Sequence, residues 1–100
     1  MMDVIEPKFG HGQVVATPGA MGLLAENRVS TIDLLRRHIT GDWGCVDSRD
    51  GKANDLAIGD GGRIMSAYQI TESQKVWVIT EAVGPSGKRE STCFLLPEEY

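Results

Sequence analysis

The chain has 100 residues, enough for one domain around one modest core, which excludes a multidomain machine or an active site built between two lobes. With 41% apolar and 24% charged residues it has the composition of a folded protein rather than a disordered or fibrous one. Fourteen Asp and Glu against ten Lys and Arg give a formal net charge of -4, the wrong sign for coating nucleic acid and the right one for meeting a basic protein surface.

From Met1 to Gly12 the chain is polar, with Asp3, Glu6 and Lys8, and lacks the basic and apolar regions of a secretory signal. No apolar run approaches the roughly 18 residues that cross a bilayer. The expected location is therefore the cytoplasm, where Cys45 and Cys93 read as reduced thiols rather than a disulfide. The apolar piece Val14-Val15-Ala16 precedes Thr17-Pro18, an N-cap residue followed by Pro at the first helical position. A short helix over Ala20 to Ala25 follows, with Asn27 as its left-handed terminal residue.

Ser30 with Asp33 three residues on predicts a second helix, Thr31 to Thr40, stopped by Gly41. Ile32, Leu35 and Ile39 are expected on its inward face, with Leu34 beside them and Arg36 and Arg37 outward. From Gly41 to Gly62 there are five Asp, six Gly and one Asn, so most of this stretch reads as loop, with one short helix capped by Ser48 or Asp50 and ended by Gly59. The period then changes to two. Ile64, Ser66, Tyr68 and Ile70 share one face of a strand, Lys75 to Glu81 forms a second, and Glu90 to Leu96 a third, separated by the turns Thr71 to Gln74 and Gly84 to Gly87. Such short connections force antiparallel pairing. The expected fold is a single two-layer α+β domain over residues 1–100, its N-terminal helices packed on a C-terminal three-stranded antiparallel meander, with Trp43 and Trp77 both in the core.

The side chains specify little chemistry. His38, Asp42 and Cys45 have no recognised zinc spacing, and a His in the last turn of a helix reads as a partner of the helix's carbonyl end. Asp42 and Asp47 oppose a thiolate at Cys45, and Cys93 sits within a strand, so both read as inert. Gly19-x-x-Gly22 and Gly59-Asp60-Gly61-Gly62 match no nucleotide-binding fingerprint and read as turns. Arg36, Arg37, Lys88 and Arg89 are too few to define a phosphate track. No catalytic, cofactor-binding or metal-binding residue is expected, and no direct contact with nucleic acid or membrane. The acidic residues are more suggestive: Asp42, Asp47, Asp50, Asp55 and Asp60 share the loop-rich stretch and Glu98-Glu99 lie in the last three residues of the sequence, placed to meet Lys and Arg on a protein that itself holds nucleic acid.

The phrases Arg37-His38-Ile39-Thr40-Gly41-Asp42-Trp43-Gly44, Gly62 to Tyr68, Val76-Trp77-Val78-Ile79-Thr80-Glu81-Ala82 and Glu90 to Tyr100 resemble a family of small proteins carried by phages, plasmids and integrated elements. Genomes label its members plasmid-related or as restriction-modification subunits, and the resemblance spans the chain from Gly12 onward. In size, acidity and lack of a catalytic signature the chain also resembles anti-CRISPR inhibitors aimed at a type I surveillance complex. That resemblance implies a non-enzymatic protein, needing no cofactor, that blocks target DNA by binding a basic host protein or nucleoprotein complex. Asp42, Asp47, Asp50, Asp55, Glu98 and Glu99 are the expected partner-binding residues. Two rival readings stand beside it: a small nucleic-acid-processing enzyme of mobile elements built on His38 and Asp42, and a homodimeric accessory protein using an unpaired edge of the meander.

Overall fold

Three helices and four strands follow in the order β1 (Gln13–Ala16), α1 (Pro18–Glu26), α2 (Thr31–Ile39), α3 (Ser48–Asp60), β2 (Ile64–Gln69), β3 (Lys75–Thr80) and β4 (Ser91–Leu95), with a 3-10 turn at Pro97–Glu99. They come from a computed structural model that describes residues 6–100, so the first five residues of the polar start, Asp3 among them, lie outside it. Among the described residues no helix is long and apolar enough to cross a membrane.

The helix signals act as side-chain chemistry dictates. Thr17 Oγ1 accepts the Ala20 N–H at 3.1 Å and Ser30 Oγ accepts the Asp33 N–H at 3.4 Å. Gly41, at φ 92, ends α2: its own N–H donates to the His38 carbonyl and that of Asp42 to the Arg37 carbonyl, a Schellman pair. The end of α1 is built the same way, but its left-handed residue is Arg28 at φ 55, not Asn27, whose φ is -103. Asn27 instead donates its side-chain amide to the Leu23 carbonyl.

Helix α3 runs 13 residues where one short helical piece was expected. Gly51, Gly59 and a sparse apolar pattern hide it, and contacts remote in sequence hold it. Asp47 caps its start by accepting the Asp50 N–H. Asn54 clamps it to β2, its amide donating to the Met65 carbonyl and accepting the Met65 N–H. At its far end Arg89 donates to the Ala57 carbonyl, and the left-handed Gly61 closes the helix.

The α+β class stands; the three-stranded antiparallel meander does not. Strands β2, β3 and β4 do pair antiparallel in sequence, but β1 adds to β4 in parallel, giving a mixed four-stranded sheet in the order β1-β4-β3-β2. Parallel pairing is open to β1 because three helices and two strands lie between it and β4. At the junction Gly12, at φ 62, lets the backbone pass so close to Glu90 that a Cβ would sit 2.4 Å from its carbonyl.

One sheet face carries Ile64, Ser66, Tyr68, Val76, Val78, Thr80, Thr92 and Phe94, all buried. Ala20 and Leu24 of α1 and Leu34 of α2 pack there against Tyr68, Val76, Val78 and Phe94. Phe9, Ile39, Trp43, Ala57 and Ile64 form a second cluster. The inward row of α2 is thus Leu34, His38 and Ile39. Ile32 lies two residues from Leu34, about 200° around the helix, and is 61% exposed.

Trp77 also departs from expectation. It stands on the opposite sheet face, half-buried, its ring 5.6 Å from that of Tyr100 at 67°. Trp43 is buried and donates its indole N–H to Asp55 at 3.0 Å. Trp43→Ala is therefore expected to cost about 3 to 5 kcal/mol and Trp77→Ala about 1 to 2, measured as urea-unfolding free energies. A second prediction concerns Gly44, exposed but at φ 73, where a Cβ would meet the Ala67 carbonyl oxygen at 1.9 Å. Gly44→Ala should cost about 2 to 4 kcal/mol, whereas Gly22→Ala, in open space within α1, should gain about 0.5 to 1 kcal/mol in the same assay.

Candidate functional site

The chemistry-bearing residues gather where α2 ends and the chain turns toward α3. Two successive residues point opposite ways. Arg37 reaches outward and His38 inward, as neighbours on a helix about 100° apart can do at the rim of a buried stripe.

On the surface, Arg37 Nε meets Asp42 Oδ2 at 2.7 Å and Nη2 meets Oδ1 at 3.3 Å, a two-pronged ion pair. The guanidinium lies 4.5 Å over the Tyr68 ring, and the Tyr68 hydroxyl donates to the Asp42 backbone carbonyl at 2.7 Å. Asp42 Oδ1 also accepts the Gly44 N–H at 3.1 Å. The hydrogen bond from Arg37, with that of Gly44, holds the Asp42 carboxyl below its ordinary range, and the same pair raises Arg37. Burial pushes the Tyr68 hydroxyl up to about 12, so it stays a neutral donor. The cluster fixes the shape of the Gly41–Gly44 turn and leaves Asp42 committed.

Inside, His38 has no exposed surface. It is not a partner of the helix's carbonyl end. Thr40 Oγ1 takes the Arg36 carbonyl at 2.7 Å and the Lys8 N–H the Ile39 carbonyl, also at 2.7 Å, which leaves the imidazole free to enter the core. There Nδ1 lies 2.6 Å from Ser66 Oγ and Nε2 2.8 Å from Thr80 Oγ1; Thr80 Oγ1 lies 2.6 Å from Thr92 Oγ1, and Thr92 donates to the His11 carbonyl at 2.8 Å. That last carbonyl can only accept, so the proton order follows from it as far as His38 Nε2, and a neutral imidazole, its pKa pushed down to about 4 by burial, sets the Ser66 end. Thr92 gives its hydroxyl proton to His11, Thr80 gives its own to Thr92, His38 donates Nε2–H to Thr80, and Ser66 donates to His38 Nδ1. The imidazole is neutral with its proton on Nε2, and Phe9 and Trp43 stand edge-on to it at 5.2 and 6.0 Å. Ser66 and His38 have the spacing of a nucleophile and its base, yet Ser66, His38, Thr80 and Thr92 are all sealed from solvent.

Sequence reading missed Ser66, Thr80 and Thr92 as partners of His38. The signal was available: each is a hydroxyl residue at an inward position of a strand, among Ile64, Tyr68, Val78 and Phe94, and such groups need a buried partner. Arg89 has a similar history. It is buried, lies 5.6 Å over the Phe9 ring and donates to three backbone carbonyls, Gly62 at 2.6 Å, Ala57 at 2.8 Å and Glu81 at 3.0 Å. Its charge thus sits on the carbonyl end of α3 instead of facing a phosphate. Burial lowers its pKa from the usual guanidinium value.

The expected partner-binding carboxylates divide into two groups. Asp42 is tied to Arg37, Asp47 caps α3, Asp55 holds Trp43, and Glu99 accepts the Thr17 hydroxyl at 2.7 Å and the Leu96 N–H at 2.8 Å. These hydrogen bonds keep Glu99 below the ordinary carboxylate range. Asp50 and Glu98 are exposed and, among the described residues, make no side-chain hydrogen bond or ion pair. His38 and Asp42 do not converge: His38 is sealed in the core, Asp42 is paired at the surface, and neither lines the cavities beside β1, Phe9, Gln74 or Asn54. Among the described residues no three His, Cys, Asp or Glu side chains are grouped to hold a metal ion. Cys45 is exposed, Cys93 half-buried, and neither is bonded to the other. Comparison with family models, curated proteins and solved structures returns no match.

The buried imidazole makes stability depend on pH. An ordinary His titrates near 6.5, whereas burial, with the charge of His11 second, pushes His38 down to about 4. Between those values the unfolded chain binds the proton and the fold does not, so stability is complete above about pH 6.5 and falls as pH drops toward 4, by about 3 kcal/mol in all. Urea midpoints at pH 7, 5.5 and 4.5 should trace that loss, and His38→Gln should flatten it.

Proposed function

We propose that the chain is a non-enzymatic inhibitor of the anti-CRISPR kind, which binds a basic surface of a type I surveillance complex in a bacterial host and denies target DNA access to it. Asp50 and Glu98 carry this reading: each is a carboxylate left unengaged at the surface of a molecule whose other expected contact acids are used in its own folding. Removing the carboxylate of Asp42, Asp47 or Asp55 would disturb an ion pair, a helix cap or a core indole, so those acids serve a partner only through the shape they maintain. The net charge of -4 gives the approach its long-range attraction to cationic surface. The rival reading, an acid-base enzyme around His38 and Asp42, requires both groups to face one substrate, and here one is sealed in the core while the other is paired on the surface.

The test is binding of the purified chain to a purified type I complex, with and without target DNA. Asp50→Ala with Glu98→Ala is expected to weaken binding by about ten- to a hundredfold, roughly 1.4 to 2.7 kcal/mol, at unchanged unfolding free energy. Binding should also weaken as salt is raised. Unaltered affinity in the double variant, or turnover of nucleic acid by the pure chain, would overturn the proposal.

A further inference from the structure

The two edges of the sheet are treated differently. Along β2 the segment Trp43 to Cys45 lies as a cover: the Ala67 N–H donates to the Trp43 carbonyl at 3.1 Å and the Cys45 N–H to the Ala67 carbonyl at 2.8 Å. Along β1 no segment of the described residues does this. The Gln13 N–H donates to Glu90 and the Thr17 N–H to Phe94, both at 2.9 Å, so alternation turns the N–H and C=O groups of Val14 and Ala16 away from β4, toward open space. An exposed edge is usually guarded by Lys, Pro, a bulge or a covering element. Gln13-Val14-Val15-Ala16 has no charge and no Pro, and its register with β4 is continuous. Val14 is 40% and Val15 41% exposed. Beside the strand, toward α1, lies an apolar groove of about 450 Å³ lined by Val14, Met21, Leu24, Ala25, Val29 and Phe94, with Met21 59% exposed.

We propose that this edge pairs with the same edge of a second copy of the chain, β1 running antiparallel to the β1 of its partner across a two-fold axis and joining two four-stranded sheets into one. The register follows from which groups point outward. Val14 opposite Ala16 of the partner subunit, and the reverse, engages all the outward-facing groups of both residues in about four backbone hydrogen bonds and sets Val15 against its own copy at the axis. Val14 and Ala16 pair with Thr92 and Phe94 of β4 and so share the core face; Val15 pairs with Cys93 on the other. The two grooves then meet across the axis and cover each other's Val14 and Met21.

Chemistry selects a second copy over the basic partner invoked above. Neither the strand nor the groove lining carries an acid for a cation to meet, whereas two uncharged valine strands place no like charges opposite one another. What opposes the dimer is the net charge of -4 on each copy, which salt screens. Dimerisation should therefore tighten as salt rises, the opposite sign to binding through carboxylates.

Sedimentation velocity and light scattering of the intact chain over a range of concentrations and salt test this. The expected result is a species of twice the monomer mass, favoured by salt. Val15→Lys, which sets two ammonium groups face to face at the axis, should weaken it about tenfold or more while circular dichroism and unfolding free energy stay unchanged. Met21→Glu in the groove should act in the same direction. A wild-type chain that remains monomeric at every concentration and salt overturns the proposal, as does a dimer indifferent to both variants. A monomer whose binding to the type I complex is lost on Val15→Lys also overturns it, by giving the edge to a different occupant.

Discussion

One polar row through an otherwise apolar interior sets the rest of the structure. His38 on α2 is bonded at both ring nitrogens to hydroxyls of β2 and β3, and the row continues through β4 to the backbone at His11 just ahead of β1. Five parts of the chain are thereby tied at one level. Aliphatic packing is tolerant of small slips, but a row of donors and acceptors is not, because each group left without its partner in the core costs on the order of 1 to 3 kcal/mol. The carbonyl at one end orders the protons up to Nε2 of His38, so the neutral imidazole has one tautomer here, and its two bonds favour one rotation of helix α2 about its axis. That rotation places Leu34 against the sheet, leaves Ile32 in water and carries Arg37 to the surface, where it meets Asp42.

The same arrangement gives the residues of the phrase Arg37 to Gly44 tasks in the fold. Arg37 and Asp42 brace the turn, His38 anchors the core, Gly41 closes the helix, Trp43 fills the second cluster and Gly44 passes within backbone contact of Ala67. Each residue type is demanded by a folding task. The other phrases divide similarly, with Ser66 and Tyr68 from one, Thr80 from the next, and Glu99 from the last, where it joins the end of β4 to the cap of α1.

What could be read from the residues alone followed how local the physics is. Thr17, Ser30 and Gly41 act on the turns beside them, so the limits of α1 and α2 were legible, and period-two alternation gave β2, β3 and β4. Helix α3 was legible only in part, since Asn54 and Arg89 hold it from β2 and from the segment before β4. The role of β1 was not legible at all. Three of its four residues, Val14-Val15-Ala16, stood out as an apolar piece, but parallel pairing with a strand some 75 residues later leaves no local trace. His38 was misread for a related reason: helix-end electrostatics and core burial are both open to a His in a last turn, and hydroxyls on three other elements decided between them.

Charge and edge divide the surface between two kinds of contact. Acidic side chains lie at the end of α1, on α2, on α3, on the β2–β3 turn, at both ends of the β3–β4 connection and at the C-terminal turn, while β1 and the residues lining the groove beside it carry none. A cationic surface is attracted over long range, and of the expected contact acids Asp50 and Glu98 are unengaged for it to dock on. A neutral strand is invisible at long range but offers a backbone template at contact. Low salt strengthens the first and opposes self-pairing of a -4 body, and high salt reverses both. If both contacts operate in one molecule, pairing two copies also doubles the acids that a partner meets, so dimer formation and partner binding are coupled through geometry even though their dependence on salt is opposite in sign.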